Sequence, residues 1–229
     1  MEYPHNRPYT ADDLVRIITL LRDPVNGCPW DKVQTHTSIR MNFLEEAYEA
    51  VDALDLDDPV LMCEELGDVL MQVAFHTCME QETGRFTWEQ VCDGVCQKLI
   101  ERHPNIFGTQ PGYEGITDWD ALKNKEKGRR TLADDLESVL RAMPALMRAA
   151  KLQKRAARHG AALQGADAAA LADAAENLQT AQPASAQAEQ AVGELLFAAA
   201  NLARQAGVDP EQALQKANEA FCTATGPVA

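Results

Sequence analysis

Residues 43–70 read FLEEAYEAVDALDLDDPVLMCEELGDVL. Five carboxylates here, Glu45, Glu46, Glu49, Glu65 and Asp68, are set among apolar residues, whereas an amphipathic helix ordinarily keeps its acids on the wet side. Glu46 and Glu49 are three apart, as are Glu65 and Asp68, so each pair projects from one side of its helix. On the helix that carries the second pair, Glu65, Asp68 and Gln72 form a narrow polar strip. Leu66, Val69 and Val73 lie on one side of it, and Leu61, Met71 and Phe75 lie on or beyond the other. A polar strip between two apolar ones is not a simple solvated face.

If the two helices pack as an antiparallel pair, the four acids of the two pairs converge. Carboxylates about 4 Å apart repel by about 4 kcal/mol at an effective dielectric near 20, so such a cluster must take up protons or hold cations. Oxygen-only ligands suit a hard ion, Mg²⁺ with Mn²⁺ as a substitute. A di-iron bundle would need Glu-x-x-His motifs, and none of the five histidines (5, 36, 76, 103, 159) supplies one. The EExxE pattern alone is common on exposed helices. On residue chemistry, a metal site and a solvated acidic face both stand.

The chain has 229 residues, 46% of them hydrophobic, enough for a substantial core in one or two domains. The opening MEYPHNRPYT lacks the apolar run of a signal peptide, and no apolar stretch reaches membrane-spanning length. The six cysteines are scattered with no CxxC pair, which reads as reduced thiols in a cytoplasm. A formal charge of −14 disfavours nucleic acid polymers as partners. It does not disfavour small phosphorylated ligands, because a bound divalent cation reverses the local field.

Helical punctuation dominates. A first helix is expected over Ala11 to Arg22, and a second from an N-cap at Thr37 or Ser38 to Asp55, with Leu44, Tyr48, Val51 and Leu54 at helical spacing. Asp58-Pro59 opens a third that Gly84 ends, about 25 residues and nearly 40 Å long. Thr87 and Gln90 form a capping box for a fourth, Trp88 to Arg102, stopped by His103-Pro104. After a loop, Thr117 or Asp118 starts a fifth through Lys127. Beyond Gly128 alanine becomes very common, and QTAQPASAQ (179–187) reads as a soft linker. ELGDVLMQVAF (65–75) is echoed by AVGELLFAAAN (191–201), and WEQVCDGVCQKL (88–99) more loosely by PEQALQKANEAF (210–221). The expected organisation is therefore all-α and duplicated, with one helical domain at 1–128 and a drifted second copy at 129–229.

Lys98 and Arg102 share a helix face, and Trp119 and Lys123 repeat the spacing. Cations suit phosphates and an indole offers a stacking face for a base. Taken singly, the cations are macrodipole complements, Trp119 is a core anchor, and Trp30 in GCPWDK is structural.

Together these residues resemble the MazG family of nucleoside triphosphate pyrophosphohydrolases, within the all-α NTP pyrophosphatase group. The resemblance runs from LRDPVNGCPWDKVQTHTSI (21–39) through the acidic stretch and KLIERHPNIFG (98–108) to WDALKNKEK (119–127), and continues in PALMRAAKLQKRAARHG (144–160). The family motif is ExxE, a variable spacer, then ExxD. Here Glu46 and Glu49, fifteen residues, then Glu65 and Asp68 satisfy it. The resemblance implies that these four bind Mg²⁺, and that Asn42, Lys98, Arg102, Trp119 and Lys123 contact the nucleotide; Trp30 joins them as a candidate. It implies attack of water on the α-phosphorus of a nucleoside triphosphate, giving NMP and pyrophosphate, in a housecleaning or broad-specificity role. Glu45 or Glu49 is the candidate for orienting the water. A homodimer built mainly by residues 11–127 is expected.

The family often reads KLIRRHPHVF, where this chain has Glu101 and Asn105. The second copy departs further. Its counterparts to the four ligands are Glu176, Gln179, Ala191 and Glu194, and the sequence given stops before a second Trp-x-x-x-Lys segment, so that copy is expected to be inert. The competing reading is a non-catalytic nucleotide-binding or regulatory scaffold.

Overall fold

The computed structural model describes residues 2–5, 7–104, 106–108, 122, 124 and 126–226. The chain divides into two compact units, 1–116 and 117–229, so the boundary expected after Gly128 falls inside the second. Among the described residues the regular elements are helices, with no strand.

In the first unit these are α1 (Ala11–Leu21), α2 (His36–Asp55), α3 (Pro59–Glu82) and α4 (Trp88–Arg102), with a 3₁₀ turn at Asp31–Val33. The threonines at 10, 35 and 87 each open a helix with a reciprocal capping box, closed by Asp13, Ser38 and Gln90. So α2 begins ahead of the expected caps: Ser38 closes the box that Thr35 opens and does not cap the helix itself. Asp58 accepts from the Val60 and Leu61 amides, with Pro59 behind it at the position where a missing N–H costs nothing. The turn Leu56–Asp58 then folds α3 back along α2, and α1 and α4 pack on α3.

The core lies on the C-terminal half of α3. Ala74, Phe75, Cys78 and Met79 meet Ile18 of α1, Ile39 of α2 and Trp88 of α4. Buried Arg22 clamps this end. It donates to both Glu82 carboxylate oxygens (2.5 and 2.8 Å) and to the carbonyls of Asp31 (2.8 Å) and Gln34 (3.2 Å), over the Phe75 ring. The turn between them needs Gly27, where an added Cβ would stand 2.4 Å from the carbonyl oxygens of Leu21 and Asp23. Beside this clamp, buried Glu80 takes His36 Nε2 (2.5 Å) and Arg85 Nε (2.6 Å), and His36 Nδ1 lies 2.7 Å from His76 Nδ1.

The second unit contains α5 (Leu132–Glu137), α6 (Ala145–Arg158), α7 (Ala168–Thr180), α8 (Ala186–Gln205) and α9 (Pro210–Thr225). The abundant alanine has a packing role. Ala174 of α7 and Ala191, Ala198 and Ala200 of α8 are buried, with α8 packed against both α7 and α6, and a methyl side chain lets helix backbones approach closely. The segment read as a soft linker is only a short turn, 181–185. Residues 179–180 finish α7, and the Ser185 hydroxyl caps α8 at once.

Asp135 is the polar centre of this unit. Fully buried, it meets Arg158 Nη2 at 2.6 Å, Arg155 Nη1 at 3.0 Å and His159 Nε2 at 3.2 Å. Burial pushes its carboxyl up, but the bonds to Asn124, Arg158 and His159 and the Arg155 charge outweigh it and hold the carboxyl below its ordinary 3.8. A depressed acid stabilises the fold above the unfolded value, and that stability is lost as pH falls through the folded one. Asp135→Ala, which strands the guanidinium groups, should cost about 3–5 kcal/mol in urea unfolding near neutral pH. The difference from wild type should shrink once pH drops below 3.8. A loss under about 1 kcal/mol would show that the ion pairs do not anchor the unit.

Candidate active site

The hairpin of α2 and α3 brings the acids together. One carboxylate oxygen each from Glu46, Glu49 and Glu65 lies within 4.8 Å of the others. Asp68, one turn along α3 from Glu65, stands outside that trio but near enough for its charge to act on both Glu46 and Glu65. Glu45 acts on Glu46 in the same way. Buried Gln72, a turn beyond Asp68, donates from Nε2 to Glu46 Oε1 at 3.3 Å.

The electrostatics follow from this crowding. Loss of hydration raises the Glu46 carboxyl above its ordinary 4.5, the Gln72 bond opposes this, and the charges of Asp68, Glu49 and Glu45 add to the rise. Glu65 is also raised, by desolvation first and then by Glu49, Glu64, Asp68 and Glu46. Among the described residues no basic side chain figures in these causes. The donor set is hard oxygen throughout, with a buried carboxamide oxygen on Gln72 that accepts nothing from the described residues. That chemistry fits a divalent cation of the Mg²⁺ or Mn²⁺ kind.

The remaining candidates are placed less tightly. Asn42 is half-buried on α2, one turn before Glu46. On α4, which packs on α3, Lys98 is exposed and Arg102 half-buried, four residues apart on one face. Trp30 is 57% exposed, and its carbonyl accepts from Gln34 Nε2. It precedes the start of α2, and that start lies about 15 Å along the axis from Glu46. Trp119, Lys123 and Asn105 lie outside the described residues. Sequence reasoning put Gln72 in the polar strip but gave it no task. It passed over His76 and Glu80, although their four-residue steps continue that strip.

The model of the MazG nucleotide pyrophosphohydrolase domain matches residues 34–107, which span α2, α3 and α4. The nucleoside triphosphate pyrophosphohydrolase of Escherichia coli (strain K12) is 41% identical over 219 residues, 92% of this chain and 83% of that protein. The chain belongs to the MazG family. The nucleoside triphosphate pyrophosphohydrolase/pyrophosphatase MazG of Thermotoga maritima is 38% identical over 212 residues, again across 92% of this chain and 82% of its own length. Thus the MazG domain match contains all five acids and Gln72. The two relatives extend the likeness across most of both units.

Raised acids destabilise the fold above their folded values, and the effect fades as pH falls through 4.5, below which they become protonated folded or unfolded. Without cations, Glu46→Gln or Glu65→Gln should therefore unfold at an equal or higher temperature than wild type near neutral pH. Any advantage should disappear once pH lies well below 4.5. A variant less stable than wild type at neutral pH and equal to it in acid would mean that the cluster does not repel itself.

Proposed function

We propose that this chain hydrolyses nucleoside triphosphates to NMP and pyrophosphate in a divalent-cation-dependent reaction, at the acids of the first unit. The observation that carries the reading is the meeting of Glu46, Glu49 and Glu65 from two helices, in a chain so similar to nucleoside triphosphate pyrophosphohydrolases. With Asp68 they would hold Mg²⁺, for which Mn²⁺ would substitute. Bound there, the cation supplies positive charge for the triphosphate and activation for water.

The protein's own groups do the rest. Glu45, beside the cluster, or Glu49, within it, would orient the water toward the α-phosphorus. Lys98 and Arg102 would meet phosphate oxygens from α4, and Asn42, Trp119, Lys123 and Trp30 would contact the nucleotide. A housecleaning or broad-specificity role is the physiological counterpart of this chemistry.

The apolar stripe of α2 supports self-association. Leu44, Tyr48, Val51 and Leu54 are all exposed, together with Met41. The buried residues of α2 are instead Ile39, Ala50 and Ala53. A stripe of this size calls for cover, and a second copy joined by a two-fold axis supplies it. Light scattering at micromolar concentration should give a dimer mass, and a monomer would refute the arrangement.

The cation-holding acids would be those of the first unit alone. In the second hairpin Glu176 and Gln179 are exposed, Ala191 is buried in packing, and Glu194 accepts from Gln190 Nε2 at 2.8 Å. Glu49→Gln or Asp68→Asn should nearly abolish Mg²⁺-dependent pyrophosphate release. Adding Gln179→Glu and Ala191→Glu to a Glu46→Gln, Glu49→Gln chain should restore nothing, since the carboxylate at 191 would enter the core. Full activity in either single variant would sink the cation assignment, and regained activity in the quadruple variant would place a site in the second unit.

A further inference from the structure

Gln72 is 6% exposed, as enclosed as Phe75 of the core. Burying a carboxamide without partners costs about 1–3 kcal/mol, and an apolar side chain of the same length would escape that cost. Something must compensate. Half of the answer is visible, since Nε2 donates to Glu46 Oε1 at 3.3 Å. An ionised carboxylate only accepts, so this contact also fixes which way the amide faces, with N–H toward Glu46 and the carbonyl oxygen away from it.

That carbonyl oxygen is the other half. Gln72 Oε1 is buried and receives no hydrogen bond. Its neighbours along the α3 face do not supply one. Asp68, one turn before, is an acceptor when ionised. His76, one turn after, has Nδ1 engaged with His36 Nδ1. The result, among the described residues, is a buried acceptor without a donor, attached to the residue that holds Glu46.

We infer that Gln72 is a positioning residue for the cation site: its N–H holds the Glu46 carboxylate within reach of Glu49 and Glu65. The inference rests on the reading of the acid cluster as a divalent-cation site. It explains why a polar side chain is buried at this position. It also separates Gln72 from Lys98 and Arg102, which would act on the nucleotide and not on the ion.

The test uses the full chain with Mn²⁺ as the probe and no nucleotide, so that binding is read apart from turnover. The free-ion signal in electron paramagnetic resonance gives the dissociation constant directly. Gln72→Met fills nearly the same volume with neither donor nor strong acceptor. It should weaken Mn²⁺ binding about tenfold or more, the usual effect of losing a group that orients a ligand. Its unfolding temperature without cation should be unchanged or raised, since a stranded oxygen is removed. A purely structural Gln72 would give the opposite pattern: a lowered unfolding temperature and Mn²⁺ affinity within about twofold of wild type. That pattern overturns the inference. If Gln72→Met does not fold, Gln72→Asn, one methylene shorter and unable to reach Glu46, is held to the same loss of affinity. Failure of the wild-type chain to bind Mn²⁺ at all would overturn the cation reading, and this inference with it. Wild-type binding left intact in the Gln72 variants overturns this inference alone.

Discussion

Mutual repulsion among carboxylates is the constraint around which the first unit is arranged. Glu46, Glu49 and Glu65 stand close together, with Asp68 beside them, and helices free to slide or splay would relieve the strain by separating. They are held from the far end. Ile39, Phe75, Cys78 and Met79 bury the distal part of the hairpin. Arg22 bolts Glu82 of α3 to the turn ahead of α2, and Glu80 reaches His36 in the first turn of α2. The hairpin thus separates its tasks along its length, with apolar packing and compensated charge at one end and uncompensated charge at the other.

The placement of the acids was legible because helical periodicity puts residues three and four apart on one side, while the reaction came from the family resemblance and not from spacing. The acid pairs, the polar strip through Gln72 and the existence of α2, α3 and α4 all follow from spacing. What needed coordinates was the register between helices. Nothing in the sequence says that Gln72 meets Glu46 or that His36 meets Glu80, because those pairs depend on how far α3 has returned along α2. Capping was ambiguous for a similar reason. In QTHTS the threonines and the serine are all good first residues, and only the reciprocal bond of Thr35 and Ser38 decides between them.

The apolar stripe of α2 gave the right helix without saying what it packs against. Leu44, Tyr48 and Val51 have the spacing of a buried face and stay exposed within the chain. Composition misled in the second unit, where the polar and proline residues of 179–187 suggested a softer connection than the short turn that Ser185 ends. Asp135 left no trace at the level of motif. Arg155 and Arg158 look like ordinary helix-terminal cations until α5 and α6 are packed together around it.

The raised acids have an evolutionary consequence. A core leucine is defended by the fold, because replacing it opens a cavity and lowers stability. The cluster has the opposite character, for a neutral substitute relieves the repulsion that raises Glu46 and Glu65 in the cation-free protein. A fold does not defend such charge, and substitution drains it from a helix pair without harming the shape. The α7–α8 hairpin is a helix pair without that burden: Ala191 is packed inside and exposed Gln179 carries no charge.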